Sequence, residues 1–195
     1  NTGSVPIDLI ATFMERKFGA NGFYASPNAK DQYEETQASI VGISSAFTKN
    51  DFIFKPKLYW TRGQDMYEFV RGKPEIYRNH HITNKAGAAV DMTYNSKLGI
   101  TGIGLDLARV FIASNNLGDH NRTMFTTFLE QRFALAGNKL DITPGIAFTY
   151  YSDFGSQTFP GIDLGYELDK DLKIYGNLGY TYRIPTYTDL YYSDP

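Results

Sequence analysis

Residues 140–150 read LDITPGIAFTY, an alternation of apolar with small or polar side chains. The even positions carry Leu140, Ile142, Pro144, Ile146, Phe148 and Tyr150, and the odd positions carry Asp141, Thr143, Gly145, Ala147 and Thr149. Because successive side chains of a β-strand point to opposite faces, this period of two predicts a strand with one apolar face. Pro144 has no N–H to donate, so we expect a bulge or a weakened pairing there rather than a shifted strand.

The same alternation recurs along most of the chain. Its apolar sets are Phe52, Phe54, Leu58, Trp60; Ala86, Ala88, Val90, Met92, Tyr94; Ile103, Leu105, Leu107; Ile162, Leu164, Tyr166, Leu168; and Leu172, Ile174, Leu178, Tyr180, Tyr182. Residues 8–18 and 37–47 alternate more weakly. We count about nine predicted strands, each near the length that crosses a bilayer at the tilt of a barrel. The opposite face mixes small and charged residues, which suits a wet lumen.

The connections between these segments are short and long in turn. Short polar turns are predicted at 48–51, 96–99, 137–139 and 169–171, and long polar loops at about 20–36, 63–83, 114–122 and 151–158. A soluble β protein has no reason to make every second connection long, whereas a membrane barrel has minimal hairpins on one side and a binding surface on the other. The chain is therefore predicted to be all-β, an antiparallel up-and-down meander.

Composition removes several functional classes. The 195 residues carry 19 basic and 21 acidic side chains, so nothing indicates the basic face that nucleic-acid binding needs. The absence of cysteine excludes a thiolate nucleophile and a Cys-ligated metal. No apolar run is long enough for a membrane helix. The N-terminus shows no signal peptide, so an exported protein would have to contain this chain as an internal piece of a longer precursor.

Aromatic residues make up 15% of the chain and gather near the predicted strand ends. One group is expected at the outer ends, with Tyr59, Trp60, Phe111, Tyr150, Tyr151, Phe159 and Tyr182. A second is expected at the inner ends, with Phe47, Phe52, Phe54, Tyr94 and Phe133. Two aromatic belts around an apolar band are typical of a barrel that faces lipid.

Few residues suggest chemistry. His80, His81 and His120 fall in predicted loops, where they are interpreted as solvated side chains; the alternative, a metal or haem ligand pair, lacks a partner at helical spacing. Carboxylates on the polar face are explained by a polar lumen, and no serine has a nucleophile context. We therefore predict no catalytic residue, no metal site and no cofactor.

The tail is the most specific stretch. Residues 180–192, YTYRIPTYTDLYY, run from a predicted strand through an aromatic, basic and proline break into an aromatic segment. Pro185 removes a donor and fixes a bend. Arg183 continues the polar phase of the strand and is expected to face the lumen near the outer rim. A chance aromatic loop is the alternative.

The tail resembles the barrel segment of TonB-dependent outer-membrane receptors, in which an aromatic, a basic residue and a proline precede a Leu-Tyr pair. The matching residues are Tyr182, Arg183, Pro185, Asp189, Leu190 and Tyr191. Residues 17–24, 116–123 and 153–160 are similar to vitamin B12 and siderophore-type receptors of Bacteroidetes bacteria. The resemblance covers essentially the whole of residues 1–195 as a single barrel domain.

The resemblance implies a segment of a 22-stranded barrel that holds a plug domain and is energised by the TonB–ExbB–ExbD system. It also implies the outer membrane of a Gram-negative cell, contact with its lipid, and import of a scarce large ligand of the cobalamin, haem or iron–siderophore class. Plug and TonB box are not recognised in these residues, and about nine strands do not close a barrel, so we expect an internal part of the wall.

Candidate ligand contacts are aromatic and imidazole side chains in the predicted loops, chosen because they offer contact area and polar reach. They are Tyr67, Phe69, His80, His81, Tyr187, Tyr191 and Tyr192. Three alternatives remain open from the sequence: a passive porin-type barrel, a soluble all-β binding module such as a lipocalin-like or sandwich domain, and an outer-membrane lipase.

Overall fold

A computed structural model describes residues 5–23 and 27–192, so Tyr24 of the similar stretch 17–24 lies outside the described residues. Ten strands and one short helix occur in the described part. They are β1 (Ile7–Gly19), β2 (Tyr33–Ser45), β3 (Phe47–Lys49), β4 (Phe52–Glu68), β5 (Arg78–Ser96), β6 (Gly99–Ser114), β7 (His120–Leu135), β8 (Leu140–Tyr151), β9 (Gly155–Asp169), β10 (Leu172–Gly179) and α1 (Tyr187–Tyr191).

The strands form one antiparallel meander. The sheet order is β1-β2-β4-β5-β6-β7-β8-β9-β10, and β3 continues the register of β2 against β4. Nine long strands are thus confirmed, with one of them interrupted. Within the described residues, β1 and β10 each pair along one edge only, so this sheet is an open wall rather than a closed barrel.

The register confirms the two faces expected from the period of two. Across five strands, the successive register partners are Leu58, Ala88, Leu107, Phe125 and Tyr150. We name their side the apolar face. The opposite side, the polar face, carries Asp106 and Glu130, and also the small residues Gly87, Gly104 and Ala108. The apolar sets taken from the sequence lie on the apolar face where they fall in regularly paired strands; Leu172, at a register irregularity between β9 and β10, is the exception among the described residues.

Burial is inverted with respect to a soluble protein. On β6, Leu107 of the apolar face is 56% exposed, whereas its neighbour Ala108 on the polar face is 3% exposed. Large side chains of the polar face lean over small ones, so that a Cβ added to Gly87 would meet the ring of Tyr59. The Tyr59 hydroxyl donates to Asp106 two strands away, at 2.9 Å from its Oδ1. The packed side of this sheet is therefore its polar face.

Two interruptions of the ladder lie opposite prolines, and a third irregularity, at Leu172 and Lys173 between β9 and β10, does not. The pairing of β7 with β8 stops between Glu130 and Phe133, opposite Pro144, while β8 remains one strand. The weakened pairing predicted at Pro144 is thus confirmed. The break between β2 and β3 lies opposite Pro56 of β4 in the same way. A proline has no N–H for the ladder, so local pairing fails on one side of it.

The connections agree with the prediction in position but differ in length. The turns at 50–51, 97–98, 136–139 and 170–171 are short, and three of the opposite connections, 20–32, 69–77 and 115–119, are longer. The fourth, 152–154, has only three residues, so the long loop predicted at 151–158 is wrong. The strands β4 and β5 also extend through most of 63–83, because backbone pairing continues beyond the apolar band that marks a strand in the sequence.

The aromatic groups are partly reassigned. Phe47, Phe52, Phe54 and Tyr94 do cluster on the apolar face near the turns, with Phe52 and Tyr94 stacked at 4.4 Å between ring centroids. At the other end, Tyr59, Tyr151 and Phe159 lie on the polar face, so they belong to no outer belt. Tyr182 lies beyond β10, which ends at Gly179. In the described part of the chain, no helix is long and apolar enough to span a membrane.

Candidate functional site

We call the end of the sheet that carries the connections 20–32, 69–77, 115–119 and 152–154 the loop end. Most side-chain hydrogen bonds that link the ends of different strands, among the described residues, are found there. A first group joins the end of β4 to the loops beside it. Gln32 is 1% exposed and donates from Nε2 to the hydroxyl of Tyr67, which packs edge-on against Tyr77. Asn116 in turn donates to the Tyr77 hydroxyl at 3.0 Å. The group ties three loops together.

Ser114 organises the connection between β6 and β7. Its hydroxyl oxygen accepts from the backbone N–H groups of Asn116 at 3.2 Å and Leu117 at 2.8 Å. The same oxygen lies 2.7 Å from Nδ1 of His81, its register partner on β5. His81 is therefore fixed on the polar face, where Asp65 of β4 is its partner on the other side.

The second group centres on Arg122 of β7, whose residue is 7% exposed. Its Nε donates to both carboxylate oxygens of Asp153 at 2.8 Å. Its guanidinium also lies over the rings of Phe154 and Tyr187, at 5.1 Å and 5.0 Å from their centroids. An arginine buried in this way needs a charged partner and hydrogen bonds, and the rings add cation–π attraction.

The tail forms the helix α1 and a compact turn before it. Thr186 and Asp189 make a reciprocal capping box, with Thr186 N 2.8 Å from the Asp189 carboxylate and Asp189 N 3.1 Å from the Thr186 hydroxyl. Arg183 donates to the same carboxylate at 2.7 Å. These hydrogen bonds, first those from Thr186 and then that from Arg183, hold the pKa of Asp189 below its usual value. Burial raises the pKa of Tyr187.

A ring stack docks α1 on β7. His120 and Tyr191 are parallel within 7°, with centroids 3.7 Å apart, and Tyr187 lies 5.8 Å from the same imidazole. His120 Nε2 donates to the backbone carbonyl of Leu117 at 2.6 Å, which fixes the ring. His120 and Arg122, which are adjacent on the polar face of β7, thus both contact the tail.

The predicted ligand contacts fall into two groups. Tyr67, Phe69, His80 and His81 lie at the loop end of β4 and β5, and Tyr187, Tyr191 and Tyr192 lie on or beside α1. Phe69 is in a loop and Tyr192 follows α1 without belonging to an element. The loop assignments of six other residues were wrong: Tyr67 is in β4, His80 and His81 are in β5, His120 begins β7, and Tyr187 and Tyr191 are in α1. The two adjacent histidines point to opposite faces, as consecutive strand residues must.

The tail also differs from the expectation in one respect. Tyr182 and Arg183 do not continue β10, which ends at Gly179. The Arg183 side chain is 77% exposed and pairs with Asp189. Pairing ends at Gly179, six residues before Pro185, and Arg183 instead donates to Asp189. Three tail residues thus make the contacts that shape this region. The Pro185 carbonyl accepts from Arg122, the Asp189 carboxylate accepts from Arg183 and Thr186, and the Tyr191 ring stacks on His120.

Sequence reasoning missed Arg122, Asp153 and Ser114 as structural centres of the site. A signal was present, because a tight turn fixes the register of its two strands. The turn 136–139 places Arg122 opposite Asp153, and the turn 97–98 places His81 opposite Ser114. No local signal exists for the contact of Arg122 with the carbonyl of Pro185, which lies 63 positions away along the chain.

The loop end combines exposed rings with buried polar atoms. Among the described residues, no group of three or more His, Cys, Asp or Glu side chains could hold a metal ion. Buried polar atoms without a hydrogen-bond partner in this part of the chain are Gln32 Oε1, Glu34 Oε2, Asn116 Oδ1 and the Tyr187 hydroxyl. All four residues lie toward the loop end. The site therefore combines aromatic surface with polar groups, which is what small-molecule recognition requires.

Comparison with known proteins identifies the sheet. The profile of a family described as "TonB dependent receptor-like, beta-barrel" matches residues 8–195. No sequence among the curated proteins matches the chain.

Several solved structures have a similar fold. The siderophore receptor PirA from Pseudomonas aeruginosa is 11% identical with a TM-score of 0.74, and the match covers 92% of this chain and 31% of that one. The Serratia marcescens hemophore receptor HasR, solved with its hemophore HasA and heme, is 15% identical with a TM-score of 0.69, covering 93% and 34%. The ferric citrate transporter FecA is 10% identical with a TM-score of 0.64, covering 89% and 33%. The chain thus spans about a third of the length of these structures.

Proposed function

The chain belongs to the TonB-dependent receptor-like β-barrel family, and from that membership we propose that it is a wall section of an outer-membrane transporter importing a scarce large ligand. The single observation that carries this proposal is the two-faced sheet. Large apolar side chains are exposed along one face of the sheet, while polar and small residues are packed on the other face of its inner strands. Lipid on the first face and a lumen on the second account for both.

The proposal extends to the parts of the protein outside this chain. A complete barrel of 22 strands would hold a plug domain, and TonB–ExbB–ExbD would supply the energy for uptake. The protein would make and break no bond. Its membrane would be the outer membrane of a Gram-negative cell, of the Bacteroidetes group by the similar stretches of sequence.

The ligand class proposed is cobalamin, haem or an iron–siderophore. The loop end supports such a role because it presents exposed aromatic rings, among them Tyr191, which stacks on His120. We propose contacts from Tyr67, Phe69, His80, His81, Tyr187, Tyr191 and Tyr192. Of these, Tyr191 and Tyr192 are 42% and 48% exposed and present the largest accessible rings, whereas Tyr67, at 9%, would act mainly by shaping the surface.

Energised uptake is the test of function. A strain deleted for the full-length gene would be compared with its complemented parent for uptake of labelled cobalamin, haem and ferric citrate at limiting concentration, with and without TonB. The proposal expects uptake of one probe that needs both the gene and TonB. Uptake that needs the gene but not TonB would indicate a passive channel and would contradict the proposal.

Orientation is tested separately, using the absence of cysteine from this chain. Asp119→Cys lies at the loop end and Asn138→Cys in the turn 136–139 at the opposite end. In intact cells producing the full-length receptor, a membrane-impermeant maleimide should label the first and spare the second. The reverse pattern would place the loop end on the inner side and overturn the proposed binding surface.

A further inference from the structure

The tail reaches a strand that is not its neighbour. β10 ends at Gly179 beside β9, yet the next helix, α1, stacks on His120 of β7. Residues 180–186 must therefore pass over the loop end of β9 and β8. They do so on the side of the polar face, because His120 and Arg122 are register partners of the polar-face residues Ile112 and Val110. The tail thus covers part of the polar-face opening.

The helix α1 cannot hold this position by itself. It has five residues, and isolated helices this short are unstable in water. Its capping box and the ion pair of Arg183 with Asp189 connect tail residues only to one another. Its place over the sheet depends on contacts with β7 and the connection that follows β8.

Arg122 makes two kinds of contact with the tail from one side chain. Its Nη2 lies 3.4 Å from the carbonyl oxygen of Pro185, and its guanidinium carbon lies over the ring of Tyr187, the first residue of α1, at 5.0 Å from the centroid. Asp153 holds Nε from the other side. The fixed fork of a guanidinium can serve a carboxylate, a carbonyl and a ring at once, which an ammonium group cannot do. His120 adds a second contact through Tyr191.

We infer that Arg122 is the positioning residue of the ligand site, holding α1 over the polar-face opening so that Leu190 and Tyr191 meet the ligand in a fixed geometry. This inference rests on the proposed function and names the chemistry of that contact, a flat apolar or conjugated group of the ligand. Leu190 is 39% exposed, and Tyr191 keeps 42% of its surface exposed although His120 covers one face. A contact surface fixed before binding gains affinity, because less ordering remains to be done on binding.

The first measurement needs no ligand. Thr188 is exposed on α1, and a spin label on Thr188→Cys in the full-length receptor, freed of any other cysteine, reports the motion of the helix. Arg122→Gln should make the label mobile. The matched control is Arg109→Gln, because Arg109 also lies over a ring, Phe111 at 4.9 Å, and bonds an amide, Asn121 at 3.1 Å, away from the tail. A label equally immobile in both variants would overturn the inference.

A second pair of variants separates positioning from damage to the fold. Arg122→Gln leaves Asp153 without its cation, so Arg122→Gln combined with the isosteric Asp153→Asn serves as a version without buried unpaired charge. Arg122→Lys keeps the charge and loses the fork. The double variant should assemble normally and carry a mobile spin label at position 188. In Arg122→Lys the label should also be mobile, although the positive charge at position 122 is kept. An immobile label in the assembled double variant would overturn the inference.

The third measurement uses the transported probe. Arg122→Gln should raise the KM of uptake about tenfold with the maximal rate unchanged, and Arg109→Gln should leave both unchanged. An equal KM in a variant whose label is mobile would overturn the positioning role. If the parent takes up none of the probes, the proposed function fails for them, whereas the label still decides whether Arg122 holds α1.

Discussion

The two faces of this sheet are built from the same backbone and pack in opposite ways. Neighbouring residues on β6 differ from 56% exposure at Leu107 to 3% at Ala108. In water, a sheet buries its large apolar residues and leaves small or polar ones outside. Here the large apolar residues are exposed, and the side chains of the polar face pack against one another. The difference indicates that the two faces meet different surroundings and obey different rules of substitution.

A charge on one face or the other gives the largest effect. Leu164→Arg places a guanidinium on the apolar face of β9, and Asp163→Arg places the same group next to it on the polar face. In a bilayer the first should cost about 2–4 kcal/mol near the midplane and less toward an interface. The second should stay within about 0.5 kcal/mol. Denaturant unfolding of the full-length receptor in lipid vesicles measures both, and equal costs would break the distinction between the faces.

Close packing of the polar face predicts a smaller effect. In Gly87→Ala, on the polar face of β5, the new methyl group meets the Tyr59 ring. In Gly63→Ala, on the polar face of the adjacent strand β4, the methyl group meets nothing within 4 Å. Overpacking costs about 1–3 kcal/mol, and a glycine replaced in open space gains up to about 1 kcal/mol. The same unfolding assay should therefore give opposite signs for the two variants. Two neutral results would mean that the polar face is loosely packed.

Acidification should loosen the tail, and this is the smallest of the three effects predicted here. Hydrogen bonds from Thr186 and Arg183 lower the pKa of Asp189, so its ionised form stabilises the folded tail. That contribution is present above the ordinary aspartate pKa of about 3.9 and is lost as the pH falls through the lowered value. A label on Thr188→Cys should become mobile over that acidic range. With Asp189→Asn, this part of the pH dependence should disappear; an unchanged titration would exclude Asp189 as its cause.

Much of this fold could be predicted because a strand has a local signal. The period of two predicted the strand Leu140–Tyr151 and its apolar face correctly, and Pro144 predicted the interrupted pairing with β7. The loop end could not be predicted equally well. There the strands β4 and β5 continue as paired backbone without apolar alternation, so Tyr67, His80 and His81 looked like loop residues.

The candidate site shows the same limit in another form. Tyr187 and Tyr191 were chosen for their rings, and the structure does place them at the loop end. Their arrangement depends on Arg122, which the local sequence gives no reason to choose. The pair of Arg122 with Asp153 follows from hairpin register, but the return of the tail to β7 is a contact between distant parts of the chain.

Site-by-site labelling of β9 tests the central claim most directly. Spin labels placed singly at residues 161–167 of the full-length receptor in lipid bilayers would be exposed to molecular oxygen, which concentrates in lipid, and to a water-soluble nickel complex. We predict a period of two, with the highest ratio of oxygen to nickel collisions at Ile162, Leu164 and Tyr166, whose side chains share the apolar face. Equal ratios along the strand, or maxima at residues 163 and 165, would contradict the assignment of that face to lipid.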